Sequence, residues 1–305
     1  MSRKFRFAKE CVERIRDFCT QLTGVEADKE EAPAPKAEEP VTPAPEKLAD
    51  TAPVPVITGE NDKPAEGKIT GVAICRTDIG KVRSSNQDSV IDAFPLVGVA
   101  DGMGGHRGGE AASSGARDVL VELLKDKEPS QLALRQAIGA ANRRLFLRQQ
   151  EEENLSGMGT TLTVLWVNAE EVIVGHVGDS RAYRMRDGKL EQMTHDHSMV
   201  AEMVREGLLT PEAAACHPMR NVITRAVGTE EGVEVDLLCE KRCPGDLWLV
   251  CSDGLHGMVS DEDMLEIIKG NTPEDAADRL IEAALENGGR DNISLAIFLD
   301  GEDRA

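Results

Sequence analysis

From residue 69 onward the chain alternates between short apolar runs and longer stretches whose apolar residues recur every three or four positions. Runs at 69–75, 89–93, 96–100, 160–167, 171–177, 181–186, 246–251 and 293–299 predict β-strands, with weaker ones at 189–193 and 233–239. Helical spacing covers about 109–125, 130–152, 198–206, 261–269 and 273–286. The last helix has a clear start: Thr272 can cap it, Pro273 fixes the first helical φ, and Glu274 and Asp275 make its first turn acidic. Strands arrive in clusters and helices in pairs, rather than one helix after each strand. That order predicts an α+β fold of mostly antiparallel sheets, not a doubly wound parallel sheet. Residues 195–232 are less regular, rich in His, Met and Arg, and read as a mobile flap.

Upstream the pattern changes twice. Residues 1–24 carry Phe5, Ala8, Val12, Ile15 and Leu22 at helical spacing with Lys and Arg between them, which predicts a short amphipathic helix. Residues 25–66, with EEAPAPKAEEPVTPAP and TAPVPV, are too rich in Pro, Ala and Glu to build a core and read as a disordered linker. The folded domain is expected over 67–301. Of three readings for the helix (docking a partner, lying on a membrane, folding back on the domain), partner docking on a flexible tether is favoured. The helix is only mildly basic, and Ser2 stands where myristoylation needs glycine.

Composition narrows the classes. The 305 residues carry a formal net charge of −20, and only 3% are aromatic. Strong acidity argues against sequence-independent nucleic-acid binding, and few aromatics argue against base-stacking platforms. No apolar run reaches the ~18 residues of a membrane span, and the N-terminus lacks a signal-peptide core. The seven cysteines form no C-x-x-C pair, so reduced thiols in a cytoplasmic protein are expected.

The chemistry is concentrated in carboxylates at strand ends. In LVGVADGMGGHRGGEAA an apolar run closes at Asp101, and five of the next eight residues are glycine. Arg107 stands where the dinucleotide fingerprint G-x-G-x-x-G needs its third glycine, and there is no G-K-[ST]. VIVGHVGDSRAY ends a strand at Asp179 and LWLVCSDGL at Asp253, while GGRDNISLAIF sets Asp291 just before the last strand. VRSSNQDSV sets Asp88 at the start of one. Taken singly, each is also an ordinary turn or helix-cap signal. If the strands are neighbours, the carboxylates converge and repel, and a hard divalent cation removes that repulsion. Oxygen ligands without His or Cys favour Mg²⁺ or Mn²⁺ over zinc, and the glycines would let the Gly102 carbonyl join them.

In order and spacing, TDIGKVRSSNQDSV, VADGMGGHRGGEAAS, GMGTTLTVL, HVGDSRAYR, LVCSDGL and GRDNIS resemble the bacterial branch of the metal-dependent (type 2C) serine/threonine protein phosphatases. The resemblance runs from about Ile69 to Leu299. It implies a sandwich of two mostly antiparallel sheets flanked by helix pairs (α-β-β-α), preceded here by a disordered extension. It also implies two Mn²⁺ or Mg²⁺ ions, bridged by Asp101, with the Gly102 carbonyl on one and Asp253 and Asp291 on the other. Asp179, with Asp253, matches the ligands of a third, weaker metal site. Arg83 matches the arginine that grips the substrate phosphate. Asn292 would orient Asp291, and Asp88 would stand in the outer shell.

The implied chemistry is a hydroxide bridging two cations that attacks phosphoserine or phosphothreonine in line, with no phosphoenzyme. Substrates would be phosphoproteins made by a cognate Ser/Thr kinase. Cysteine-nucleophile chemistry is excluded by inspection, since no cysteine has Arg six residues on. Two departures stand out. Met103 occupies the place where eukaryotic relatives have histidine, and the role is not transferred to His106. Gln87 replaces a common Glu, which would weaken one metal site. Thr160 and Thr161 are expected in a core strand without a catalytic role, and His195 and His197 are expected to anchor the flap.

Overall fold

The computed structural model describes residues 69–301, apart from the side chains of residues 105–107 and 215. The expectations for 1–24 and 25–66 lie outside the described residues. One sheet contains β1 (Gly71–Asp78), β7 (Arg181–Arg186), β8 (Lys189–Gln192), β10 (Leu247–Cys251) and β11 (Ile293–Asp300), in the order β1-β11-β10-β7-β8. The other contains β2 (Asp88–Ala93), β3 (Leu96–Met103), β5 (Leu162–Val167), β6 (Glu171–Val177) and β9 (Asp236–Lys241), in the order β2-β3-β5-β6-β9, with β4 (Gly159–Thr160) paired to β3. Every pairing is antiparallel.

The layers follow from how the strands are buried. All residues of β5 and β10 are buried, because each sheet is covered on both faces. Between the sheets lie Val97, Val99, Leu165, Val174, Trp248, Ala296 and Phe298. The outer face of the second sheet packs Ile91, Leu162, Val164 and Trp166 against α1 (Gly105–Leu124) and α2 (Gln131–Glu151). The outer face of the first packs Tyr183, Leu249, Leu295 and Ile297 against α6 (Asp261–Lys269) and α7 (Pro273–Glu286). This is the expected α-β-β-α sandwich. Thr272 caps α7 as its sequence implies, its side chain accepting from the Asp275 N–H at 3.2 Å.

Several boundaries differ from the sequence expectation: β1 is shifted to 71–78, and β3 runs past its expected end at 100 to Met103. Helix α1 begins at Gly105 rather than near 109, so the glycines 105, 108 and 109 lie within a helix, not a loop. Packing accounts for the glycines: a Cβ on Gly102 would lie 2.1 Å from the Gly109 carbonyl oxygen, so strand and helix touch backbone to backbone. The run 160–167 divides into β4 and β5 because the Thr161 N–H leaves the ladder to donate to the Asp101 carbonyl at 2.8 Å. Strand β9 runs 236–241 instead of 233–239, in register with β6. The irregular segment contains two short helices, α3 (Met199–Arg205) and α4 (Pro211–Ala215).

Strand direction sets the polarity of the molecule. Asp78 pairs with Ile293 at one end of the β1–β11 ladder, and Gly71 pairs with Asp300 at the other. The end away from Asp291 is closed by Arg242 and Asp300, 8% and 1% exposed, with Nη2 2.5 Å from Oδ1. Arg242 also donates to the carbonyls of Asn168, Ala169 and Thr70. Replacing it leaves a buried carboxylate unpaired. Arg242→Met is therefore expected to lower stability by roughly 3 kcal/mol in denaturant titration, and an unchanged midpoint would contradict this reading.

Candidate metal and phosphate site

At the other end of the sandwich lies a cavity of about 440 Å³ whose lining includes Arg83, Asp101, Gly102, Asp179, Asp253, Asp291 and Asn292. Four of the five aspartates singled out in the sequence therefore share one space. The fifth, Asp88, sits just behind it, opposite Asp101 in the β2–β3 register. Each arrives by a short route. Asp101 lies in the last turnings of β3, Asp179 follows β6, Asp253 starts α5 (Asp253–His256) directly after β10, and Asp291 precedes β11.

The backbone around Asp101 is held on both sides. Its N–H donates to Thr161 Oγ1 at 3.0 Å, and its carbonyl accepts from Thr160 Oγ1 at 2.8 Å. Thr160 and Thr161 are fully buried, as expected, but their hydroxyls lock the central carboxylate's chain in place. The Gly102 N–H donates to the Gln87 carbonyl at 3.2 Å, which ties the same corner to the Arg83-bearing loop.

The Asn292 carboxamide is also spent on that loop. Its Nδ2 donates to the carbonyls of Ile79 and Ser85, and its Oδ1 accepts from the Gln87 N–H. Contact with Asp291 is made by the Asn292 backbone N–H, which donates to Oδ1 at 2.8 Å. The other oxygen, Oδ2, lies 2.6 Å from Arg83 Nη2. That hydrogen bond raises the guanidinium pKa above its ordinary value.

Crowding of like charge perturbs the acids. Burial, then the charges of Asp88, Asp253, Asp179 and Asp291, hold the Asp101 carboxyl well above the usual range. Burial and the charge of Asp179 push Asp253 up to about 7. Burial raises Asp88 to about 6, with opposing hydrogen bonds from Ser294 and Ser252. Burial and Asp196 raise Asp179 to about 6. Asp88 Oδ1 and Asp253 Oδ1 are buried with no hydrogen-bond partner. Among the described residues no three His, Cys, Asp or Glu side chains are gathered closely enough to hold a metal ion as they stand. The carboxylates instead line an open cavity, and the orphaned Asp253 oxygen among them, with no described His or Cys in the lining, fits hard divalent cations.

With that geometry in hand, comparison with known proteins is decisive. The model of the family described as protein phosphatase 2C matches residues 81–288. The chain belongs to that family. It is 42% identical over 224 residues to the serine/threonine protein phosphatase PstP of Mycobacterium tuberculosis, covering 73% of this chain and 43% of PstP. It is 39% identical over 234 residues to the serine/threonine phosphatase stp of Listeria monocytogenes, covering 73% of this chain and 93% of stp. The chain thus spans less than half of the mycobacterial relative and nearly all of the listerial one. The crystal structure of the PstP catalytic domain in complex with two manganese ions aligns with a TM-score of 0.71 at 39% identity, covering 76% of this chain and 99% of that domain.

Sequence reasoning missed part of the lining. Asn221 and Ile223 reach the cavity from the irregular segment, where no periodicity or spacing marks them. Met103 and Gly104 also line it, and Met103 carries no group able to donate a proton. His197 does tie down the flap, while His195 contributes through its backbone carbonyl. The His195 carbonyl lies 3.0 Å from His176 Nε2, and the His197 N–H donates to the Gly178 carbonyl at 2.7 Å.

The raised acids make a signed prediction. Asp253 titrates near about 7 in the folded chain against an ordinary 3.8, so between these values the folded chain holds the extra proton. Its contribution to stability therefore falls as pH rises through that window. In EDTA, Asp253→Asn is expected to melt above the parent at about pH 7.5, with the margin closing towards about pH 5. Buried His176 and His256, pushed down to about 4, act in the opposite direction but are common to both proteins and cancel. A margin independent of pH would contradict the assignment.

Proposed function

We propose that this chain hydrolyses phosphoserine and phosphothreonine in proteins, with divalent cations as cofactors and a Ser/Thr kinase supplying the substrates. The observation that carries the reading is one cavity lined by Asp101, Asp179, Asp253, Asp291 and Arg83. Asp101, the Gly102 carbonyl, Asp253 and Asp291 would hold two Mn²⁺ or Mg²⁺ ions, and Asp179 with Asp253 would hold a third, weaker one. When bound, such ions lower the pKa of water and offset phosphoryl charge.

The chain's own groups do the rest. Arg83, half exposed, presents a planar fork that matches two phosphoryl oxygens once it leaves Asp291. Asn292 and the Gln87 backbone keep the Arg83 loop beside Asp291. Asp88 stays behind Asp101, its Oδ2 accepting from Ser252 Oγ at 2.9 Å. Among the described residues the cavity lining offers Ser84 and Ser85 but no histidine or lysine beside them to act as base. None of the described cysteines lines it. Water, attacking in line with the departing hydroxyl oxygen and without a phosphoenzyme, is therefore the nucleophile of choice.

The described cysteines are all unpaired, and no described helix is long and apolar enough to cross a membrane. Both support a reducing, cytoplasmic setting. Residues 1–24 complete the reading as a docking segment, with 25–66 as the tether that raises local concentration.

The direct test is phosphate release from a phosphothreonine peptide with Mn²⁺, with Mg²⁺ and with EDTA. Release with metal and none with EDTA is expected. No release from folded protein with either metal would favour a non-catalytic phosphoprotein-binding module on the same fold. Release from sugar phosphates in preference to the peptide would favour a metabolite phosphatase. Asp253→Asn is expected to lower kcat by roughly a thousandfold, and Arg83→Ala to lower kcat/KM on the order of a hundredfold. Normal turnover by Asp253→Asn would contradict the site.

A further inference from the structure

The part of the cavity wall supplied by the irregular segment is a built feature. Asn221 and Ile223 line it together with Arg83 and the aspartates, although they belong to the irregular segment. Two backbone hydrogen bonds fix them: the Met199 N–H donates to the Val222 carbonyl at 2.9 Å and the Thr224 N–H to the His197 carbonyl at 2.8 Å, together making the Ser198–Ile223 bridge. The two residues therefore ride on a short ladder whose other rail is 197–199.

That rail is itself latched beneath the carboxylate cluster. His197 is 4% exposed, and its Nδ1 accepts the Gly178 N–H at 3.0 Å, one residue before Asp179. Acceptance at Nδ1 places the ring proton on Nε2, which faces Asp236 Oδ2 at 3.1 Å. Arg225 Nη1 closes the group by donating to Asp236 Oδ1 at 2.7 Å. The rim residues are thus carried by the same latch that holds the Asp179 turn, and they keep a defined place in the cavity wall.

Arg83 and the aspartates are charged, whereas Asn221 and Ile223, like Ser84, Ser85, Gln87, Met103 and Asn292 elsewhere in the lining, are not. Asn221 is exposed, and its carboxamide makes no hydrogen bond to another described residue. A carboxamide offers one acceptor and two donors, which suits the N–H and C=O of an extended peptide rather than a phosphoryl group already matched by a guanidinium. Ile223, half-buried beside it, offers apolar contact to an aliphatic side chain.

Building on the phosphatase reading above, we propose that Asn221 and Ile223 are specificity-determining residues that bind the peptide backbone next to the phosphorylated residue. The wall selects polypeptide over small phosphate esters.

The test compares the parent with Asn221→Ala on two substrates, a phosphothreonine peptide and 4-nitrophenyl phosphate, which has no peptide group. The ratio of kcat/KM for peptide over aryl ester is expected to fall at least fivefold, through a higher KM for the peptide. An equal loss on both substrates, or no loss on either, would overturn the proposal. Ile223→Ala provides a second variant and is expected to lower the ratio for a peptide with aliphatic neighbours more than for one with glycine neighbours. If the parent hydrolyses neither substrate, it is the phosphatase reading that fails, and the two failures are distinguishable.

Discussion

Mutual repulsion among buried carboxylates is the constraint on which the rest of the site depends. Asp101, Asp179, Asp253 and Asp291 line one cavity, and Asp88 backs it, so burial and the charges of the other four raise the cost of ionising Asp101. A chain that only had to fold would gain by replacing them. The two oxygens left without partners, on Asp88 and Asp253, express the same tension locally. A set of donors that is costly alone and favourable around a hard cation is the signature of a site tuned for a ligand rather than for stability.

The sandwich supplies the rigidity that such a cluster requires. Asp101 cannot relax away from its neighbours because both its N–H and its carbonyl are held by the buried Thr160–Thr161 corner. Gly102 lets α1 press against β3 with no side chain between them, which carries the backbone into the cavity wall. His256 adds a further tie, its Nε2 lying 3.1 Å from the Asp179 carbonyl, so that the Asp253 helix and the Asp179 turn move as one. The opposite end is closed by the buried Arg242–Asp300 pair. Among the described residues, five carboxylates thus meet a single arginine, Arg83, at one end of the sheets, while Arg242 and Asp300 pair one to one at the other.

Much of this was legible in the sequence, for identifiable reasons. Strands buried on both faces read as continuous apolar runs, so β5, β10 and β11 were found with boundaries close to those observed. Aspartates that end such runs stand out, and their convergence followed once the strands were taken as neighbours. Glycine misled the reading of 104–109, because its usual role in turns hid its role in close strand–helix packing. The task given to Asn292 differed too. Its side chain holds the Arg83 loop, while a backbone N–H meets Asp291, a distinction that no residue type can reveal. Asn221 and Ile223 were invisible because their place depends on tertiary contacts of 197–199, not on any local pattern.

The central claim is that the raised carboxylates form a cation site, and the most direct measurement is calorimetric titration of Mn²⁺ into the cation-free protein near neutral pH, in two buffers of different ionisation enthalpy. The account predicts binding of about two ions with net release of protons, since Asp101 and Asp253 must give theirs up to bind a cation. It also predicts that Asp101→Asn removes the binding. Absence of Mn²⁺ binding, or binding with no proton release that persists in Asp101→Asn, would contradict it.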